Sequence, residues 1–368
     1  MSRAPATAAA DLGRTALPIV ATLTFLLGVA AIIWSAGSTL GYDFHAYEGA
    51  ARRLLDGQPL YDPAVDVAGG FAIYLYPPPF AVAIVPLAIL GGGTAIAVWT
   101  AGLVIAFLAG VALLPVDRTV RWLVLLLAGL DWPVLYSIKL GQVGPILFLL
   151  FAIGWRWLDR PAWLGGSIAL GALIKVQPAV LIGWAVLTRR FRATAVTIAV
   201  IVAAALVATA VAGLQPWFDY PSLLRRVASP LTTPHNFTPG ALVAQAGASL
   251  ELAGMVQVLT TIGALAAAAL TSVVRRADAS YLVTVVASQL ISPLLWDHYA
   301  MLLLLPVAWL LGRGQWWAVL IPLATAFPLV GIVPATVYPI VFGICLVAPL
   351  VLGNGPTRST SMTLDSAR

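Results

Sequence analysis

The chain has 368 residues, 61% of them hydrophobic and only 9% charged, with a net charge of +6 and a mean hydropathy of +0.97. Soluble domains carry about 25% charged residues and an apolar fraction nearer one half, so this chain lacks the polar surface to cover a water-soluble globule. Its basic residues are scattered without a dense Lys/Arg run, which excludes a nucleic-acid-binding protein, and its apolar runs are continuous, which excludes a β-barrel.

What remains is an all-α polytopic membrane protein, because lipid tolerates only helices and closed barrels. Apolar runs fall near 17–36, 78–90, 94–114, 121–136, 144–158, 162–188, 194–212, 251–273, 279–295, 298–312, 315–332 and 335–352. They predict about twelve transmembrane spans. The first run follows Arg3 and Arg14 and, with so many spans behind it, reads as a retained anchor and not a cleaved signal. Residues 1–353 are expected to form one transmembrane domain and 354–368 a polar tail. Cys345, the only cysteine, lies inside the last run and reads as a small hydrophobe.

After the first run comes LGYDFHAYEGAARRLLDGQPLYDP, which gathers Asp43, His45, Glu48, Arg52, Arg53 and Asp56 between two apolar stretches. Tyr47, Ala51, Leu54 and Leu55 recur at helical spacing, Glu48 and Arg52 form an i,i+4 pair, and Gly57 is placed to end the helix. This predicts a short amphipathic helix on the membrane surface. Asp43 stands just ahead of it, either as an N-terminal cap or as a carboxylate available for chemistry.

Further along, the run at 78–90 is short for a span and reads as either a short span or a re-entrant segment; the run at 162–188 is broken by Lys175, Gln177 and Pro178 and is either one kinked span or two short ones. Arg189, Arg190, Arg192, Arg275, Arg276 and Arg313 mark cytoplasmic loops by the positive-inside bias. Arg118 and Arg121 argue for another, although simple alternation from residue 17 places them outside. Residues 37–77 and 213–250 are then the two long extracytoplasmic loops able to carry a site.

The segments GYDFHAYEGAARRLLDGQPLYDP, YLYPPPFAVAIVPLAIL, LGQVGPILFLL, ALIKVQPAVLIGW, HNFTPGALV and SPLLWDHYAMLLLLP occur in that order. This ordered set resembles glycosyltransferase family 87, the polytopic bacterial mannosyltransferases that use polyprenyl-phosphate mannose. The resemblance covers about residues 40–305, and Gly144 departs from the Asn often found in the family. It implies a GT-C-type helical bundle with the catalytic acid in the first extracytoplasmic loop, where Asp43 is the matching position. It also implies transfer of a hexose, with mannose expected, to a lipid-linked or glycan acceptor, with inversion. The enzyme would lie in the inner (plasma) membrane with its site facing out, needing no cofactor.

The chemistry suits that placement. An acceptor hydroxyl loses a proton as it attacks the anomeric carbon, which calls for a carboxylate base. The departing lipid phosphate calls for cationic or hydrogen-bonding partners. Lys175, His298, His235, Asn236 and Gln142 are the candidates for phosphate or sugar, with His45 and Arg52 weaker. Each has a plainer alternative. Lys175 can snorkel from a short helix, His298 can bond Asp297, and His235 and Asn236 can belong to ordinary loop chemistry. Gln142 can bond a helix terminus, and His45 and Arg52 can sit on an exposed helix face. Asp131 is expected to pair with a basic residue inside the bundle.

Two other function classes compete. A metal site from His45, His235, His298 and Asp43 lacks any tight ligand spacing, so none is predicted. A secondary transporter or lipid flippase would suit the break at Lys175–Pro178, but no matching break marks a second half.

Overall fold

The computed structural model describes residues 4–62, 73–227, 230–233 and 235–353. Residues 63–72 of the first predicted loop and the predicted polar tail lie outside them. Among the described residues the chain is all helix, apart from an isolated antiparallel bridge between Asp131 and Ala326. In chain order the α-helices are α1 (Ala4–Ala36), α2 (Tyr42–Leu55), α3 (Pro78–Leu90), α4 (Gly92–Leu113), α5 (Arg118–Ala128) and α6 (Trp132–Leu140). There follow α7 (Gly144–Arg156), α8 (Pro161–Ile174), α9 (Val180–Leu187), α10 (Phe191–Ala212), α11 (Gln215–Val227) and α12 (Pro239–Gln245). The last are α13 (Leu250–Val274), α14 (Ala277–Leu290), α15 (Leu304–Gly312), α16 (Leu320–Ala324) and α17 (Val337–Leu352).

Four helical stretches among the described residues are long and apolar enough to cross a membrane: Ala16–Thr39, Gly92–Leu113, Phe191–Ala212 and Leu250–Val274. Counting α6 and α7 as one bent span would make five. The other apolar runs are shorter or interrupted, so helix length does not reproduce a count near twelve. The run at 121–136 divides at Gly129–Asp131, α6 and α7 meet at 120°, and α8 stops where Lys175 becomes extended ahead of Pro178. Proline explains most of these breaks, since it removes a donor and clashes with the preceding turn. Pro133, Pro145 and Pro161 each open a new helix, and Pro178 sits in the 3₁₀ turn before α9. At 13 residues, α3 is roughly 20 Å long, short of a ~30 Å hydrocarbon core.

Helix α14 is buried along nearly its whole length, as is the segment from His298 to Leu311, and these two form the centre. The long helices carry their apolar side chains outward, with Leu27, Ile105, Leu206 and Val273 more than half exposed. That is the pattern of a lipid-facing perimeter. Close helix contacts use small residues, as expected where backbones must approach. A Cβ on Gly165 of α8 would stand 2.8 Å from Val196 Cβ of α10.

The basic loops converge on one end. Arg276 and Arg313 both meet Asp278, at 3.6 and 3.2 Å, and Trp309 donates to the same carboxylate. Gly312 abuts Val116 in the loop ahead of Arg118 and Arg121, and Arg156 reaches the Leu113 carbonyl. Arg190 pairs with Asp159 at 3.0 Å. Arg118 and Arg121 therefore lie at the same end as the other basic loops. Helices α7, α8 and α14 run between this end and the opposite one, where Gln142, Lys175 and Ser292 lie.

Two expectations need correcting. Asp131 is buried and accepts a hydrogen bond from Thr325 Oγ1 at 2.8 Å; its partner is a hydroxyl, not a basic residue. The apolar face of α2 is covered by protein, chiefly α3 and α6, and centres on Phe44, Tyr47 and Ala51, leaving Leu55 half exposed.

Candidate functional site

Two glycines bring the site together. Gly41 (φ 75°) precedes α2 and Gly141 (φ 71°) ends α6, both in the left-handed region that disfavours a side chain. A Cβ on Gly141 would lie 3.2 Å from Gly41 Cα and 2.9 Å from Phe44 Cβ. The Gly41 N–H donates to the Lys139 carbonyl at 2.8 Å, and Trp99 Nε1 donates to the Gly141 carbonyl at 2.7 Å. Bond pairs of the Schellman type close both α2 and α6: Gln58 to Arg53 with Gly57 to Leu54, and Gln142 to Ser137 with Gly141 to Ile138. Asp43 is thereby set over Gln142.

Asp43 is not a cap. The N-cap position of α2 belongs to Gly41, and no side chain caps the helix. The Asp43 carboxylate, partly buried in the first turn, accepts a hydrogen bond from Gln142 Nε2 at 2.6 Å. Gln142 Oε1 in turn faces the hydroxyls of Tyr47 at 3.2 Å and Tyr76 at 3.1 Å, which contact each other at 2.7 Å. Burial pushes the Asp43 carboxyl up from its ordinary range, against the opposing pull of His298, the Gln142 bond and Lys175.

Asp43 and Trp296 stand in the wall between two cavities. The smaller, of about 100 Å³, is lined by Lys175, Tyr76, Tyr299, Gln177 and Ser292 among others. Lys175 is buried, its Nζ 3.9 Å from the centre of the Tyr299 ring and 5.7 Å from that of Tyr76. Gln177 donates to Ser292 across this cavity at 3.1 Å. The larger, of about 390 Å³, is lined by His298, Asp297, His235, Tyr136 and Lys139 among others. His298 is 3% exposed, yet among the described residues neither ring nitrogen has a hydrogen-bond partner; its Nδ1 is 3.6 Å from Asp297 Oδ1. Asp297 is held by Trp132 Nε1 at 2.7 Å and by the His298 N–H at 2.8 Å.

The structure thus brings Asp43, Gln142, Lys175 and His298 together, with His235 exposed at the rim of the larger cavity. Asn236 is used differently. Its buried amide accepts from the N–H groups of Thr238 and Leu295 and donates to the Pro293 carbonyl, bracing the second loop against the segment that leads to His298. His45 and Arg52 are both about half exposed and turn to Glu48, at 3.8 and 2.7 Å. Among the described residues no group of three His, Cys, Asp or Glu stands close enough to hold a metal ion. Trp132, Tyr136, Tyr76 and Tyr299 were not singled out from sequence; only the adjacency of Asp297 to His298 hinted at one of these contacts.

A family model for glycosyltransferase family 87 matches residues 74–295, more than half of the chain. The chain belongs to glycosyltransferase family 87. The matched stretch of this family 87 member contains Gln142, Lys175, His235 and Asn236, whereas Asp43 and His298 flank it. Searches of curated proteins and of solved structures return no match. Membership makes this apolar helical protein a membrane glycosyltransferase acting on a sugar donor and an acceptor, and it sets aside the transporter and flippase alternatives.

Proposed function

We propose that this glycosyltransferase moves a hexose, mannose by preference, from a polyprenyl-phosphate carrier to a hydroxyl of a lipid-linked or glycan acceptor. The observation that carries this reading is the Asp43 carboxylate in the wall between two cavities, with a buried lysine on one side and an unpartnered histidine on the other. Asp43 takes the proton of the acceptor hydroxyl as that oxygen bonds to the anomeric carbon. The bond from that carbon to the phosphate oxygen breaks on the opposite face, its electron pair leaves with the polyprenyl phosphate, and the configuration inverts. A buried ammonium is the natural stabiliser of the departing phosphate. A monophosphate lipid carries less charge than a nucleotide diphosphate, so the reaction does not require a metal.

The donor class follows from where the site sits. Arg118, Arg121, Arg190, Arg276 and Arg313 gather at one end and Asp43 lies at the other. Under the positive-inside bias this arrangement supports a site outside the cytoplasm of an inner-membrane protein, where sugar nucleotides are absent and lipid-linked sugars are not. The test is transfer in proteoliposomes containing the purified protein. Sugar should move from a polyprenyl-phosphate hexose and not from a nucleotide sugar. Efficient transfer from a nucleotide donor with no lipid carrier present would refute the proposal.

A further inference from the structure

We propose that the two cavities divide the substrates between them. The smaller, Lys175-lined cavity holds the donor's phosphate, and the larger cavity beside His298 and Asp297 is the acceptor subsite, shaped for an uncharged polyhydroxylated head group. This rests on the donor reading above.

The division follows from what each wall can offer. Lys175 presents only donors, and a phosphate presents only acceptors. The aromatic faces of Tyr299 and Tyr76 hold the ammonium without neutralising it. Beyond the shared Asp43, Lys175 is the one charged residue lining that cavity among the described residues. Its volume of about 100 Å³ suits a compact group and falls below the ~300 Å³ from which whole small-molecule sites begin.

The larger cavity offers mixed chemistry. The two His298 ring nitrogens stand beside the Asp297 carboxylate, a mixed set that a hydroxyl, which both donates and accepts, can answer and that a phosphate, which only accepts, meets less well. Both His298 nitrogens are buried and, among the described residues, without a hydrogen-bond partner, an arrangement that a bound polar group would complete. The Asp297 carboxylate, turned by Trp132 and the His298 N–H, repels an anion and accepts from hydroxyls. Lys139 balances it in charge, with its Nζ 5.8 Å from the centre of the Tyr136 ring that lines the same cavity. At about 390 Å³ this cavity is of ordinary small-molecule size. Asp43 borders both spaces, so an acceptor hydroxyl on one side and an anomeric carbon from the other meet at its carboxylate.

The experiment uses the full-length protein in nanodiscs, with a short-chain polyprenyl phosphate, the matching polyprenol and butyl mannoside as probes. Wild-type protein should prefer the phosphate to the polyprenol, and the bound phosphate should not displace butyl mannoside. His298→Phe, which keeps bulk and removes both nitrogens, should weaken butyl mannoside by about tenfold and leave the phosphate lipid unchanged. Lys175→Gln should do the reverse. Equal weakening of both probes by His298→Phe, or competition between them on the wild type, overturns the division while leaving the donor reading intact. If His298→Phe does not fold, the wild-type competition decides alone. No preference for phosphate over polyprenol overturns the donor reading and the division with it.

Discussion

Gln142 donates to Asp43 Oδ2 at 2.6 Å while its own carbonyl oxygen faces two tyrosine hydroxyls, so the group that orients the carboxylate is itself oriented. A Gln amide can flip by half a turn, and here a flip would set an oxygen against a carboxylate. With Oδ2 engaged, Oδ1 is the Asp43 oxygen left for an acceptor hydroxyl.

Asp43→Asn should lower transfer by about a hundredfold or more, the loss expected for a positioned base. The Asn carbonyl can still accept from Gln142, and no cap is lost, so the melting temperature should be that of the wild type. A variant that transfers sugar at near wild-type rate would place the base elsewhere.

The pH profile should carry the same signature. Only ionised Asp43 can accept a proton, so activity falls as pH drops through its pKa, which burial has moved above the ordinary carboxylate value. The Gln142 bond favours the ionised form and lowers that pKa. Gln142→Ala should therefore shift the acid limb to still higher pH. A limb that stays fixed would mean that Gln142 does not act through Asp43.

Tyr47 and Tyr76 have two hydroxyl protons to serve three contacts among themselves and Gln142. Tyr76→Phe removes one proton and two contacts, and the remaining hydroxyl still reaches the amide. Its cost in stability should be about 1 kcal/mol, with activity reduced only severalfold. Combined with Gln142→Ala the two losses should add to less than their sum, as a shared network requires. Strict additivity in a double-mutant cycle would argue against the network.

Gly141 and Gly57 share a left-handed backbone, yet only Gly141 is crowded. Gly57→Ala should cost about 1–2 kcal/mol of backbone strain and spare activity. Gly141→Ala adds a methyl 2.9 Å from Phe44 Cβ and pushes α2 from α6, so thermal melting and transfer should both suffer more. Equal effects of the two substitutions would show that the crowding is relieved cheaply.

Much of this was legible in the sequence, though unevenly. Asp43 stood out because a charged cluster sits between apolar runs, and Lys175 because a lysine interrupts one. The Glu48–Arg52 pair and the Gly57 stop are local and were read correctly. The break at Gly129–Asp131 was not, because the apolar run from 121 to 136 passes straight through it, whereas the break at Gly141–Val143 falls between the runs read at 121–136 and 144–158. Pairings across the chain were out of reach: nothing near Asp131 announces Thr325, 194 residues later. For the same reason the sequence left open whether Gln142, at the end of an apolar run, and Asn236, in a polar loop, meet substrate or another part of the chain.

The site's walls are also far apart in time. Trp132 waits 165 residues for Asp297, and Lys175 for the ring of Tyr299. During synthesis Asp43, Gln142 and Lys175 enter the membrane while the wall from Ser292 to Tyr299 is still untranslated. Until it arrives, the buried lysine and carboxylate must keep their water. A chain truncated ahead of Ser292 would thus be unable to form either cavity, and the site is complete only once the segment from Ser292 to Tyr299 has been made.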